Sequence, residues 1–203
     1  MTLMQLNITT LRLLLCALLT VQCFAAPANV FQNPPYAVDR LLVLEGEKLA
    51  HGAKFNGARY VPSRKHIELA DRVLTATIEL PPIRTEFPFN EAIPSWNGWA
   101  PPRGGWRVWM RTGNARGWTP WFEAGSWGVA TDDATTRVAE FPQGKYDIDS
   151  LLLSEPMDQV QVQFELVREM ASEPSPTVRL FALSYSSTLG DKALWKQKAE
   201  FKT

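Results

Sequence analysis

The residues able to do chemistry in this chain crowd into one stretch, Phe87–Gly128, which reads FPFNEAIPSWNGWAPPRGGWRVWMRTGNARGWTPWFEAGSWG. Seven of the eight tryptophans lie in it, at 96, 99, 106, 109, 118, 121 and 127. Trp109 stands between Arg107 and Arg111 at a spacing of two, so in a strand the three share one face. Arginine is rarely buried without a partner, so that face is expected to point outward. An exposed indole stacks on the C–H face of a sugar ring while arginines bond the hydroxyls. Trp121, between Thr119 and Glu123, is expected to face outward on the neighbouring strand. The two rings side by side would form a platform for an extracellular polysaccharide or cell-wall material. Trp106, Trp118 and Trp127 are expected in the core, and Trp96 and Trp99 in a proline-rich loop at the rim. The candidate ligand-binding residues are therefore Trp109, Trp121, Arg107, Arg111, Trp96 and Trp99. The plainer reading stays open beside this one, because tryptophans fill sandwich cores and arginines stack on them for structural reasons alone.

Other chemistry is sparse. The chain has two histidines, His51 and His66, and shows no zincin pair, P-loop or dinucleotide glycine pattern. Ser126, in Gly125-Ser126-Trp127-Gly128, is not on a nucleophile elbow. His66 is expected to face solvent beside Glu68, with no nucleophile to activate. Asp147 and Asp149 flank a strand start. Calcium wants six to eight oxygens, and the sequence names no further ligands, so a solvated strand entrance is the better reading. No catalytic residue, metal or cofactor is expected.

The elements that would position these residues are strands. Leu74, Ala76, Ile78 and Leu80 alternate with Thr75, Thr77 and Glu79, and Pro81-Pro82 ends the run. Gly105–Thr112 is a strand with Trp106, Val108 and Met110 inward. Gly113-Asn114-Ala115-Arg116-Gly117 is a hairpin turn. Trp118–Ala124 returns, with Pro120 marking an edge or bulge. Ile148–Leu153, Val160–Leu166 and Val178–Tyr185 follow, separated by turns at Glu155-Pro156-Met157-Asp158 and Glu173-Pro174-Ser175-Pro176. Val38–Gly46 reads as an edge strand or a short helix. Many short strands and almost no helix indicate an all-β fold, a single antiparallel β-sandwich of jelly-roll-like form. The segments are expected at 1–25 (signal peptide), 26–45 (linker), 46–188 (sandwich) and 189–203 (a lysine-rich tail).

The start of the chain fixes an expected compartment. Arg12 precedes the apolar run Leu13–Val21, which is too short to span a membrane and suits a secretory signal, and Cys23-Phe24-Ala25 offers small residues for cleavage after Ala25. The protein is then secreted or periplasmic. A lipidated Cys23 is the rival, with Gln22 where a small residue normally stands. Cys16 and Cys23 are the two cysteines, and both would leave with the signal, so no disulfide, thiolate metal site or cysteine nucleophile is expected in the mature chain. A formal net charge of +0 gives no basic surface for nucleic acid, and no membrane span is expected.

The pattern PPIRTEFPFNEAIPSWNGWAPPRGGWRVWMRT, then GWTPWFEAGSWG, then QVQVQFELVRE and TVRLFALSYSST, resembles the N-terminal β-sandwich of certain secreted bacterial proteins. There it precedes a papain-like cysteine peptidase domain of the bacteriocin-processing type, family thirty-nine. The resemblance covers about Gly52–Thr188, and its most specific parts are Pro94-Ser95-Trp96-Asn97 and Trp118–Trp127. It implies a sandwich accessory domain and a partner peptidase domain. In that family the residues matching Leu189–Thr203 lead into the peptidase, and with no mature cysteine no catalytic residue carries over. The first functional expectation is a secreted, non-catalytic binding or accessory domain for extracellular glycan. The alternative is the non-catalytic N-terminal part of a truncated or split cysteine peptidase. A hydrolase built on the sandwich itself is the third, and it would need convergent carboxylates or a histidine in a cleft.

Overall fold

The computed structural model describes residues 38–130 and 138–189. The expected signal peptide, most of the expected linker, Asp132-Asp133 and the lysine-rich tail from residue 190 lie outside them.

Thirteen strands are described: β1 (Val38–Glu45), β2 (Lys54–Asn56), β3 (Ala58–Val61), β4 (His66–Leu69), β5 (Thr75–Glu79), β6 (Ile83–Trp99), β7 (Gly104–Asn114), β8 (Gly117–Trp118), β9 (Phe122–Gly128), β10 (Val138–Phe141), β11 (Gly144–Asp147), β12 (Ser150–Arg168) and β13 (Thr177–Ser187). Among the described residues the one α-helix is the single turn α1 (Glu47–Ala50). Every strand pairing is antiparallel, and the fold is an all-β sandwich. Val38–Glu45, at the end of the expected linker, is a strand paired along its whole length with β13.

The long strands are shared between the two layers. The C-terminal half of β12 lies between β5 and β7, with β2 beyond β5 and β9 beyond β7. Its N-terminal half lies between β6 and β11, and that layer continues through β13 to β1 and β4. Residues 155–158, expected as a turn, are instead an irregularity inside one strand of 19 residues. Before it Leu151 and Leu153 point inward; after it Val160, Val162, Phe164 and Leu166 do. The odd set gives way to the even set across the irregular stretch between Leu152 and Gln159, where the pairing with β6 shifts on either side of Met157 and then returns to its first register. Irregularities of this kind bend a strand and re-aim its side chains, which lets one strand serve two layers.

The inward faces meet in one core. Phe164 on β12 stands edge-on to Phe181 on β13 at 6.3 Å between ring centres. Phe122 stacks on Tyr146 at 5.0 Å, and the Tyr146 hydroxyl donates to the Ala124 carbonyl at 2.8 Å, which ties β9 to β11. Ala76, Ile78 and Leu80 are buried as the alternation requires, whereas Leu74, one residue before β5, is exposed.

Phe164→Ala removes the ring that bridges the layers, and the expected cost is about 3–5 kcal/mol of stability, measured as a shift of the urea midpoint at unchanged slope.

Candidate functional site

The alternation of β7 is as expected. Trp106, Val108 and Met110 are buried, while Arg107, Trp109 and Arg111 are half-buried on the outward face. Across the ladder Arg107 lies opposite Glu165, Trp109 opposite Gln163 and Arg111 opposite Gln161. On the other edge Trp109 lies opposite Glu123, after a register shift beside Val108. The structure thus brings Arg107, Trp109, Arg111 and Trp121 to one layer.

This face closes on itself. The Arg111 guanidinium carbon stands 4.8 Å from the ring centre of Trp118 and 4.6 Å from that of Trp121. Arg111 also donates twice to Gln161 Oε1, at 2.9 and 2.7 Å. Gln161 Nε2 in turn donates to Glu79 and to the Leu80 carbonyl, both at 3.1 Å. Arg107 pairs with Glu123 and Glu165 at 3.4 Å each and donates to the Ala130 carbonyl at 3.0 Å. Trp118, expected in the core, is instead half-buried in this stack. Its ring lies over Gly113, where a Cβ would come within 2.7 Å of the indole. Pro120 interrupts the returning strand, and Thr119 fills the gap by bonding Thr112 from both its amide and its hydroxyl. Trp118 and Trp121 therefore flank a break and both reach Arg111.

Trp127 is a correction. It pairs with Trp106 but sits one residue from the end of β9 and is 64% exposed. Trp96 and Trp99 are not in a loop. They lie on β6, paired with Phe181 and Thr177 of β13, in the other layer. Trp96 packs against the core, and Trp99 is 52% exposed. Asp147 pairs with Lys145 at 2.9 Å beside the exposed Ile148. No group of three or more His, Cys, Asp or Glu placed to hold a metal ion occurs among the described residues.

The second polar cluster surrounds His66, which is not solvent-facing but only 4% exposed. Its Nε2 is 2.9 Å from Glu68 Oε2, while Arg59 donates to Glu68 Oε1 at 3.0 and 2.8 Å. His66 and Glu68 share the outward side of β4, since Ile67 and Leu69 fill the core. Burial pushes the Glu68 carboxyl up, but the hydrogen bonds from His66 and Arg59 and their charge outweigh it and hold it below the usual carboxylate range. The cluster adjoins a cavity lined by Arg64, Glu68, Trp99, Thr177 and Arg179. Arg64 and Arg179 were not among the expected site residues. The signal for Arg179 was the broken alternation Val178–Phe181, which a regular strand does not show.

Two outcomes test these geometries. Arg111→Lys loses the fork to Gln161 and the flat stack on two indoles, and is expected to cost about 1–2 kcal/mol in a denaturant titration. Glu68→Gln tests the acid side. A carboxyl held low in the fold stabilises it above the ordinary value of 4.5, and loses that contribution as pH falls through the folded value. The stability gap between parent and variant is therefore expected to be widest near pH 7 and to shrink at pH 3.

No curated protein and no solved structure matches the chain. The sequence profile described as Peptidase C39 N-terminal domain matches residues 48–186, more than half of the chain, from α1 to the end of β13. The match spans both layers, the Arg111 stack and the His66 cluster, and on it the chain belongs to the Peptidase C39 N-terminal domain family.

Proposed function

We propose that this sandwich is a non-catalytic module that holds a papain-like cysteine peptidase domain in place outside the cytoplasm. The observation that carries the reading is the family match over residues 48–186. A papain-like reaction needs a thiolate nucleophile, and Cys16 and Cys23 both precede the matched residues. The module's contribution is therefore binding and positioning. Its site of action follows from the expected signal peptide at residues 1–25.

The outward face of β1, β13, β6 and β12 suits a protein partner. Leu41 and Ile93 lie on either side of Ser184 in adjacent strands, and are 64% and 50% exposed. Val43 and Leu152 extend the apolar surface, and Ser184 and Ser186 keep it flat between them. Serines, Asp39 and Glu91 border the aliphatic residues, and such a mixture of apolar centre and polar surround is common in protein–protein contacts. It also adjoins the place where the described chain leaves the sandwich. Thr188 is held there by its amide to Asn90 Oδ1 at 2.7 Å, by Asn90 Nδ2 to its hydroxyl at 2.8 Å, and by its hydroxyl to Glu91 at 3.0 Å. A domain joined at this point would start from a fixed position beside the apolar face.

The glycan reading is less well supported by the geometry. Arg111 already covers part of the Trp121 ring, which leaves Trp109 as the more available indole of the expected platform. Pull-down on insoluble polysaccharide that is lost in Trp109→Ala would favour it.

The partner reading is tested by mixing the chain with a separately expressed peptidase domain of this family and reading co-elution. Ile93→Arg is expected to weaken the complex at least tenfold with an unchanged melting temperature. Equal co-elution of parent and variant would contradict the surface.

A further inference from the structure

At the C-terminal end of β6, beyond Ile93, one backbone irregularity builds a separate site. Asn97 pairs with Leu180 and Gly98 with Val178, so Arg179 is the extra residue of a β-bulge in β13. Bulges re-aim side chains, and this one turns the Arg179 side chain out to solvent while its carbonyl accepts from the Gly46 amide at 3.2 Å. Gly98 makes it feasible: a Cβ there would come 2.1 Å from the Thr177 carbonyl oxygen. The bulge, the end of β6, the start of β4 and the segment before β13 line an open cleft of about 490 Å³.

Its lining has a definite chemistry. Trp99 supplies an exposed indole and Pro174 a second apolar wall. Arg64 and Arg179 supply two guanidinium groups that have no hydrogen-bond or ion-pair partner among the described residues. Glu68 does not neutralise them, because both of its oxygens are engaged by Arg59 and His66. Two buried polar atoms at the same site, His66 Nδ1 and Thr177 Oγ1, also lack partners among the described residues. Unpaired buried polar atoms are rare and call for an explanation.

The geometry points to a binding site for an organic carboxylate carried on an apolar group, as in an acidic or C-terminal residue of a peptide. Guanidinium forks match the planar carboxylate, and the indole covers the apolar part beside it. Arg64 and Arg179 bind the carboxylate, Trp99 the neighbouring side chain, and His66 and Thr177 the polar atoms reached as the cavity fills. The site stands independently of the peptidase partnership, since it uses none of the same residues.

The test is an NMR titration that follows the Trp99 indole N–H in the full chain. The probes are acetyl-Leu-Phe-Glu-amide, acetyl-Leu-Phe with a free C-terminus, the neutral acetyl-Leu-Phe-Gln-amide, and inorganic phosphate. Saturable shifts with either or both carboxylate peptides, and none with the neutral one, are expected; the tighter of the two identifies the source of the carboxylate. Arg64→Gln and Arg179→Gln are each expected to weaken that binding about tenfold, and the fold is checked by an unchanged melting temperature. In Trp99→Ala, whose reporter is gone, displacement of a fluorescent acidic peptide is read instead, with weaker binding expected. Equal binding of the neutral peptide, no response to either carboxylate, or Gln variants that bind like the parent would each overturn the assignment. Phosphate binding as tightly as the peptides would also overturn it, in favour of a general anion site.

Discussion

The structure depends on one strand doing two jobs. Ser150–Arg168 hydrogen-bonds along both edges, to β6 and β11 at one end and to β5 and β7 at the other. Its inward residues from 160 onward are fully buried. A strand paired on both edges cannot slip without turning its apolar set out to water. The irregular stretch it does contain, around Met157, is where the chain passes between layers. The described residues contain no cysteine to staple this arrangement, so register and core packing must hold it.

That constraint separates the outer surfaces into two chemical kinds. Over the C-terminal half of β12 the outward residues are long and polar, and they satisfy one another: Arg107 with Glu123 and Glu165, Arg111 with Gln161, Lys54 with Glu79. Exposed pairs of this sort add modestly to stability, and they leave few groups free for a ligand. Over the N-terminal half exposed aliphatic residues and serines stand beside Asp39 and Glu91, and at the end of that layer two arginines and an indole line a cavity. The exposed aliphatic side chains of Leu41, Val43, Ile93 and Leu152 and the two arginines of the cavity stand on the layer of Trp96 and Trp99, away from the expected platform of Trp109 and Trp121.

Much of the fold was legible because its signals are local. The period of two in 74–80, 106–112 and 160–166 names the strands and their inward faces, and Gly113–Gly117 names the hairpin. The irregularities were harder to read. Glu155-Pro156-Met157-Asp158 has the composition of a turn, yet flanking β6 supplies pairing on both sides of it, and tertiary contacts override turn chemistry. Trp127 follows the pattern of its partner Trp106, but strand periodicity does not say where a layer ends. His66 reads as a surface residue until Arg59 and Glu68 arrive from the β3–β4 pair to bury it. The bulge at Arg179 was present in the sequence as a gap of three between Val178 and Phe181, and its meaning depends on Gly98 of a strand some eighty residues earlier. The family resemblance reached the accessory role directly; Arg111 packs on the Trp121 ring of the expected platform, and the proposed partner face carries Ile93.

We propose that this sandwich works through that second face. It is tested most directly by methyl and indole NMR of the chain titrated with a peptidase domain of the same family. The account requires Leu41, Val43, Ile93 and Leu152 to shift while the Trp109 and Trp121 indoles stay in place. Shifts confined to Trp109 and Trp121, with the aliphatic face silent, would contradict it.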